Sequence, residues 1–277
     1  MPGKRNRARW RPCLVLCAGL LALTLFFGWG VLGWPCSPTQ PSGASLEAPS
    51  AAHWLGTDDL GIDIYAQLSQ GFFASMSLGL ACGVLTALIG GGLGMLAGYK
   101  GGGVQAAVDF AVNVFLAVPQ LPVLIVLGAF WGQDRRLVIG LIAAFSWAPV
   151  AKQTAAKTRS AAHRTYVRAA RSWGAGSWYI FKNHLAADVL PVVLVGALAV
   201  VGKAILQESA LAYLGLSDPT AKSWGLMINR ASRFAGIYFT DYWKWWLAAP
   251  VAALMLTILF TRLLARWLEQ QLLEGDV

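Results

Sequence analysis

Six apolar runs, each long enough to cross a lipid bilayer, constrain the fold of this chain more than any other feature. They lie near residues 13–34, 72–98, 105–131, 137–156, 188–211 and 246–267 of the 277. A helix needs about 20 apolar residues to cross the roughly 30 Å hydrocarbon layer, and only 13% of the residues are charged. The sequence therefore predicts an all-α polytopic membrane protein with about six transmembrane helices.

The first apolar run resembles a secretory signal because five basic residues precede it. These are Lys4, Arg5, Arg7, Arg9 and Arg11. The run is too long for a signal core, however, and no A-x-A cleavage pattern follows it. We therefore expect a basic N-terminus over residues 1–12 and a retained first transmembrane helix over 13–34.

The distribution of Lys and Arg predicts the orientation in the membrane. If the N-terminus lies inside, the inner segments hold 15 of the 22 basic residues, the outer segments hold six, and Lys203 lies within a span. Since Lys and Arg concentrate in cytoplasmic loops, we expect both termini, including the tail 268–277, in the cytoplasm. The basic residues flank spans and do not form a groove with interleaved aromatics, so the net charge of +9 does not indicate nucleic-acid binding.

The connection between the first two spans, residues 35–71, is expected to be an extracytoplasmic loop. It has no Lys or Arg, and its second half mixes acidic and apolar residues at helical spacing over 55–71. That pattern predicts an interfacial helix whose N-cap is Thr57 or Asp58.

Glycines four residues apart are the main feature of the second span. The pairs are Gly79 and Gly83, Gly90 and Gly94, and Gly94 and Gly98. Rows of small residues let helix backbones approach closely in lipid. We expect this span to pack tightly against another helix.

No enzyme, nucleotide-binding or metal motif is recognisable. Residues 196–203 resemble a phosphate-binding loop, but five residues separate the glycines where four are required, and Ala204 replaces the needed Ser or Thr. Neither H-E-x-x-H nor G-x-S-x-G occurs, and the four Cys and three His form no Cys-x-x-Cys motif or Cys/His cluster in the sequence. We expect no catalytic residues, no bound metal and no cofactor bound by this chain itself.

The longest expected inner loop, residues 157–187, is basic and broken by glycine. From Lys152 to Ala187 the chain has seven Lys or Arg and no Asp or Glu. A helix through about 165–173 would place Arg164, Arg168 and Arg171 on one face and an apolar stripe opposite, and Gly174-Ala175-Gly176 would end it before Ser177 caps a second helix. The arginines suit either anionic lipid headgroups or a docked cytoplasmic partner, and the residues alone leave both open.

Several stretches resemble one branch of the ABC importer permeases. RAARSWG at 168–174 resembles the EAA-x3-G signature of their inner-loop coupling segment, and DVLP at 188–191 resembles its closing element. The stretches that resemble the oligopeptide, dipeptide and nickel branch are LGTDDLGID at 55–63, LAGYKGG at 96–102 and ILQESALAYLGLSDPTAKSWGLMIN at 205–229. The resemblance extends from the first span to residue 265, with departures at Arg168 (Glu in the signature), Ile62 (usually Arg) and Ala186-Ala187 (usually Leu-Pro).

The resemblance implies a type I ABC importer permease fold, with its core over 72–267, in the bacterial cytoplasmic membrane. It further implies a second homologous permease, two cytoplasmic ABC ATPases that bind ATP and Mg²⁺, and an extracytoplasmic solute-binding protein as partners. Short peptides are the default solute, with nickel chelates, opines and peptide antibiotics open. The implied ATPase-coupling residues are Tyr166, Arg168, Ala169, Ala170, Arg171, Trp173 and Gly174.

Lys203 and Glu208 are candidates for the translocation path, because ionisable residues in a span seldom face lipid. Five residues apart on a helix, they do not share a face. Lys203 either faces a cavity or extends to the outer surface, and Glu208 either lines the path or serves structurally. A self-sufficient channel or secondary transporter, or an intramembrane enzyme, are the alternative functions.

Overall fold

The computed structural model describes residues 3–131 and 134–274, without the side chains of 3–13, 131, 171, 178, 184, 273 and 274. Within these ranges the regular elements are helices, apart from an isolated β-bridge between Thr57 and Asp63. The α-helices are α1 Gly3–Leu32, α2 Ile64–Thr86, α3 Gly92–Lys100, α4 Gly102–Ala117, α5 Gln120–Trp131, α6 Arg135–Ala162, α7 Thr165–Ser172, α8 Ser177–Ile180, α9 Ala186–Tyr213, α10 Trp224–Arg233, α11 Trp243–Trp246 and α12 Ala248–Glu274. Two π-helical turns, Ala87–Gly91 and Phe181–Leu185, join α2 to α3 and α8 to α9. The prediction of an all-α fold is confirmed.

Five stretches in the described ranges are long and apolar enough to cross a membrane. They are Leu14–Leu32, Ile64–Lys100, Arg135–Ala162, Ala186–Tyr213 and Trp243–Leu272. A sixth span exists if α4 and α5 are counted together, although the two are bent by 81°. The polytopic architecture with about six spans is therefore confirmed.

The expected third span, 105–131, is not one straight helix. Val118, between α4 and α5, is extended, with φ −85° and ψ 125°. The residue that follows it is Pro119, and a proline ring disfavours the helical conformation of the preceding residue. This proline explains the break, which the apolar run by itself did not reveal.

The interfacial helix expected over 55–71 does not form as a separate element, because residues 64–71 are the first two turns of α2, which continues through the second span. Helix α2 starts at Ile64, and its cap is Asp63, whose Oδ1 accepts the backbone N–H of Ala66 at 2.7 Å. Neither Thr57 nor Asp58 caps this helix, which corrects the expectation. Asp63 stands directly before the first helical residue, where its carboxylate can reach the free N–H groups of the first turn.

The chain folds into two compact units. The first comprises Met1–Gly79, Leu124–Val138 and Gly202–Leu264, and the second comprises Leu80–Val123, Ile139–Val201 and Ala265–Val277.

Aromatic side chains form the core of the first unit. The rings of Phe27 and Phe72 stack with centroids 5.0 Å apart, and Trp224 lies 5.9 Å from Phe27. Trp224 is fully buried, and its indole Nε1 donates to the carbonyl oxygen of Leu68 at 3.1 Å. Burying such large rings, with the indole N–H satisfied, holds α1, α2 and α10 in one core.

A row of glycines explains the packing in the second unit. A β-carbon on Gly90, Gly94 or Gly98 would lie 2.6, 2.5 or 2.5 Å from the carbonyl oxygens of Trp147, Ala151 and Ala155 of α6, respectively. The glycines and the carbonyls follow the same four-residue spacing, so the two backbones are in contact over two helical turns. The close packing that the glycine rows predict is confirmed for this row.

Candidate functional site

The α7 segment, residues 164–188, has the helix, break and helix that the sequence predicted. Helix α7 ends where Gly174 adopts a φ of 82°, and the N–H of Ala175 donates to the carbonyl oxygen of Ala170 at 3.1 Å. This six-to-one bond past a left-handed glycine is the Schellman arrangement. The next helix, α8, begins at Ser177.

One side of α7 is fixed to the protein by Val167. Its side chain is fully buried in an apolar cluster with Ala161, Ile180 and Leu185. The sequence reasoning did not single out Val167. The available signal was that Val167 is the only aliphatic side chain larger than alanine in this helix.

The opposite side of α7 exposes large aromatic side chains. Tyr166 is 43% exposed and Trp173 is 88% exposed. They line an open depression of about 750 Å³ together with Ala169, Ala170, Gly174, Ala175, Gly176 and Tyr179. The structure thus brings together on one surface the apolar stripe that the sequence indicated.

The arginines of α7 are placed differently from one another. Arg168 is exposed, and the side chain of Arg171 lies outside the described residues. Arg164 donates through Nη1 to Oδ2 of Asp188 at 3.0 Å, and the hydroxyl of Tyr166 donates to the same oxygen at 3.0 Å. Asp188 of the DVLP stretch therefore connects the start of the segment to α9, a role that the sequence reasoning did not assign.

The two candidate path residues on α9 lie in different surroundings. Glu208 is buried and lines a cavity of about 30 Å³ with Arg135, Asp218 and Ser223, among others, whereas Lys203 is half-buried and does not line that cavity. Such a cavity has room for about two water molecules, so it does not hold a solute. At its rim, hydrogen bonds from the hydroxyl and N–H of Thr220 hold the pKa of Asp218 below its usual range.

The LGTDDLGID stretch builds a loop that satisfies its own polar groups. Oδ1 of Asp58 accepts the N–H groups of Leu60 and Ile62, each at 2.9 Å, and Oδ2 accepts the Nε2 amide of Gln67 at 2.7 Å. The buried hydroxyl of Thr57 donates to a backbone carbonyl at 2.6 Å and accepts a backbone N–H at 2.8 Å. Ile62, at a position that is usually Arg in the resembled pattern, is buried.

Comparisons with known proteins identify what this arrangement is similar to. Residues 90–274 match the family model described as "Binding-protein-dependent transport system inner membrane component". The chain is 33% identical over 219 residues to a probable D,D-dipeptide transport system permease protein of Escherichia coli strain K12, covering 77% of this chain and 70% of the relative. It is 34% identical over 231 residues to the nickel transport system permease protein of the same strain, covering 82% of each. A glutathione transport system permease protein of Pectobacterium atrosepticum is 32% identical over 186 residues, covering 67% of this chain and 62% of the relative.

Proposed function

This chain belongs to the family of binding-protein-dependent transport system inner membrane components, the multi-pass permease subunits of bacterial ABC importers, and we propose on that premise that its solute is a short peptide or a related small molecule. The named solutes of similar permeases include D,D-dipeptides and glutathione, which supports the peptide class. Nickel, the solute of another similar permease, is the main competing class.

The chain works as one half of a channel in a larger transporter. Its partners are a second homologous permease, two cytoplasmic ABC ATPases and an extracytoplasmic solute-binding protein. ATP and Mg²⁺ are bound by the ATPases, and this chain binds no nucleotide of its own. Closure of the ATPases around ATP moves the permeases between inward-facing and outward-facing states, so that solute crosses by alternating access.

The surface formed by Tyr166, Ala169, Ala170 and Trp173 docks on an ATPase. This docking is supported by the exposure of Tyr166 and Trp173 in one depression, while Val167 anchors the other side of the same short helix. Clustered exposed aromatics are costly in water, and they are typical of the central contacts of protein interfaces. Arg168, Arg171 and Gly174 complete the coupling surface.

Both termini and the α7 segment lie in the cytoplasm, which the excess of Lys and Arg on that side supports. Impermeant labels added outside intact cells should leave residues 152–187 unmodified. Labelling of this region from outside would invert the orientation and rule out contact with cytoplasmic ATPases.

Lys203 lines the translocation path and meets a carboxylate of the partner permease or of a peptide-like solute. Its place in a span, half removed from solvent, supports this role. A Lys203→Met variant should change the solute dependence of uptake. Unchanged solute dependence would exclude contact with the solute. Glu208 contacts the translocation path only in a conformation in which its cavity opens.

Solute-stimulated ATP hydrolysis by the reconstituted complex tests the function. Ala170→Asp or Gly174→Pro should abolish uptake and stimulated hydrolysis while the chain still inserts into the membrane. If the purified chain alone moved solute across liposomes, the chain would be a self-sufficient channel or secondary transporter. Full uptake by Ala170→Asp would exclude the coupling role of this surface.

A further inference from the structure

Three potential metal ligands that are separated in the sequence meet in the loop between α1 and α2. Sγ of Cys36 lies 3.9 Å from Nδ1 of His53, and the same Nδ1 lies 2.8 Å from Oδ2 of Asp63. The three ligand atoms all lie within 4.8 Å of one another. His53 and Asp63 are buried, and Cys36 is partly exposed, which leaves an entrance for an ion.

The distances are close to those around a tetrahedral zinc ion. Bonds of about 2.3 Å to sulfur and 2.0–2.2 Å to nitrogen and oxygen place S and N about 3.6 Å apart and N and O about 3.3 Å apart. An ion would therefore bring Cys36 and His53 closer by about 0.3 Å and separate His53 from Asp63 by about 0.5 Å. Side-chain adjustments of this size require no change in the backbone.

A second carboxylate, that of Glu47, borders the same small space as the other ring nitrogen of His53. A β-carbon on Gly43 would lie 2.7 Å from Nε2 of His53 and 2.8 Å from Oε2 of Glu47, so both atoms border the space that this glycine leaves. Histidine ligands of metals usually donate their second N–H to a carboxylate, which fixes the tautomer and raises ligand basicity. No hydrogen bond joins Nε2 of His53 to Glu47 in the described structure, so a side-chain movement of Glu47 would complete this arrangement when Nδ1 binds an ion.

Packed aromatic rings hold together the three chain segments that carry the ligands. Trp34 and Trp54 have ring centroids 4.5 Å apart, and Tyr65 lies 5.1 Å from Trp34 and 5.2 Å from Trp54. Each ring belongs to a residue one or two positions from a ligand. The ligands are thus held by rigid neighbours, as a binding site requires.

The charge of the loop also favours a cation. No Lys or Arg occurs between residues 12 and 99, whereas Glu47, Asp58, Asp59 and Asp63 do. A thiolate and a carboxylate together neutralise a divalent ion, and a thiolate with an imidazole selects zinc-like ions over Mg²⁺ or Ca²⁺.

We propose that Cys36, His53 and Asp63 bind one divalent ion of the zinc class, with water as the fourth ligand. Binding releases the thiol proton of Cys36 to solvent and uses the neutral His53 tautomer with its proton on Nε2, so that the lone pair of Nδ1 is free for the ion. The ion ties the chain after α1 to the first turn of α2.

Metal titration of the purified full-length chain in lipid nanodiscs tests the proposal. After chelator treatment, Co²⁺ should bind at one ion per chain with a thiolate-to-cobalt charge-transfer band, and Zn²⁺ should displace it. Cys36→Ser should remove that band, and His53→Gln should weaken Co²⁺ binding about 100-fold, whereas Glu47→Gln should weaken it about 10-fold. Cys17→Ser, in the middle of α1, is the matched control and should bind as the wild type does.

Two results would overturn the metal site. One is a wild-type chain that binds no stoichiometric ion. Cys36, His53 and Asp63 would then form only a hydrogen-bonded cluster. The other is an unchanged charge-transfer band in Cys36→Ser. Zn²⁺ should also raise the melting temperature of the wild type and not that of Cys36→Ser, which separates lost binding from lost folding. None of these readouts depends on ATPases or on transport, so a failure here leaves the proposed function untouched.

Discussion

The α1–α2 loop and the α7 segment treat their side chains in opposite ways. In the loop, Asp58 is buried and accepts hydrogen bonds from two backbone N–H groups and from the side-chain amide of Gln67. In the α7 segment, Tyr166 and Trp173 remain exposed on one surface. A stretch whose polar groups satisfy one another is complete within the chain, whereas a stretch that exposes large aromatics offers a surface typical of partner interfaces.

This difference separates residues that stabilise the folded chain from residues that it leaves exposed. Changes in the α1–α2 loop should act first on stability, because they leave buried donors unsatisfied. Changes at Trp173, the most exposed side chain of this surface, should act first on association, because the folded chain gains little from it. The variants below test this separation, beginning with the largest expected effect.

Asp58→Ala should lower the free energy of unfolding by about 3 kcal/mol, because three buried or partly buried N–H donors lose their acceptor. The measurement is thermal or denaturant unfolding of the purified chain in detergent. Asp59→Ala, at the exposed neighbouring position, is the control and should stay within about 0.5 kcal/mol of the wild type. Equal stability of the Asp58 and Asp59 variants would contradict the view of the loop as a self-contained unit.

Trp173→Ala should weaken association with the ATPase by about 2 kcal/mol, or roughly 30-fold, the size expected of a central interface tryptophan. Its melting temperature should match that of the wild type because the side chain is 88% exposed. Phe239→Ala removes a ring that is 90% exposed outside the α7 segment, and ATPase co-elution should be unaffected. Normal co-elution of the Trp173 variant would remove this residue from the docking surface.

Gly174→Ala should destabilise the end of α7 by about 1 kcal/mol, because a side chain is strained at positive φ. Apart from Gly174 and its chain neighbours, no residue has an atom within 4 Å of the added β-carbon, so strain is the main expected cost. Hydrogen exchange over residues 165–173 should become faster. Gly176→Ala is the control, because it meets equally open space without a positive φ, and it should exchange at the wild-type rate. Identical exchange rates in both variants would show that α7 does not require a glycine at position 174.

Asp188→Asn should have the smallest effect, about 0.5 kcal/mol, because the ion pair with Arg164 is partly exposed to solvent. A double-mutant cycle with Arg164→Gln measures this coupling, and added salt should reduce it. Strictly additive single effects at low salt would show that the pair does not hold the segment to α9.

Features governed by neighbouring residues were predictable from the sequence. Gly174 ends α7 as expected, and the glycine row 90, 94 and 98 packs closely as its spacing indicated. The sequence predicts Thr57 or Asp58 as the cap of α2, since Thr and Asp are both favoured N-cap residues. Only the course of the loop shows that Asp63 precedes the helix and that Asp58 accepts bonds within a turn.

The sequence by itself determined the membrane-spanning character of this protein, since each apolar run must leave water wherever it lies. It also located the basic, glycine-broken α7 segment between two spans. Tertiary structure decided which side of α7 is anchored by Val167 and which side is exposed. It also decided that Cys36, His53 and Asp63, which are scattered in the sequence, share one site. Contacts between residues far apart in the chain depend on how the loop folds back, and spacing along the sequence carries no information about that path.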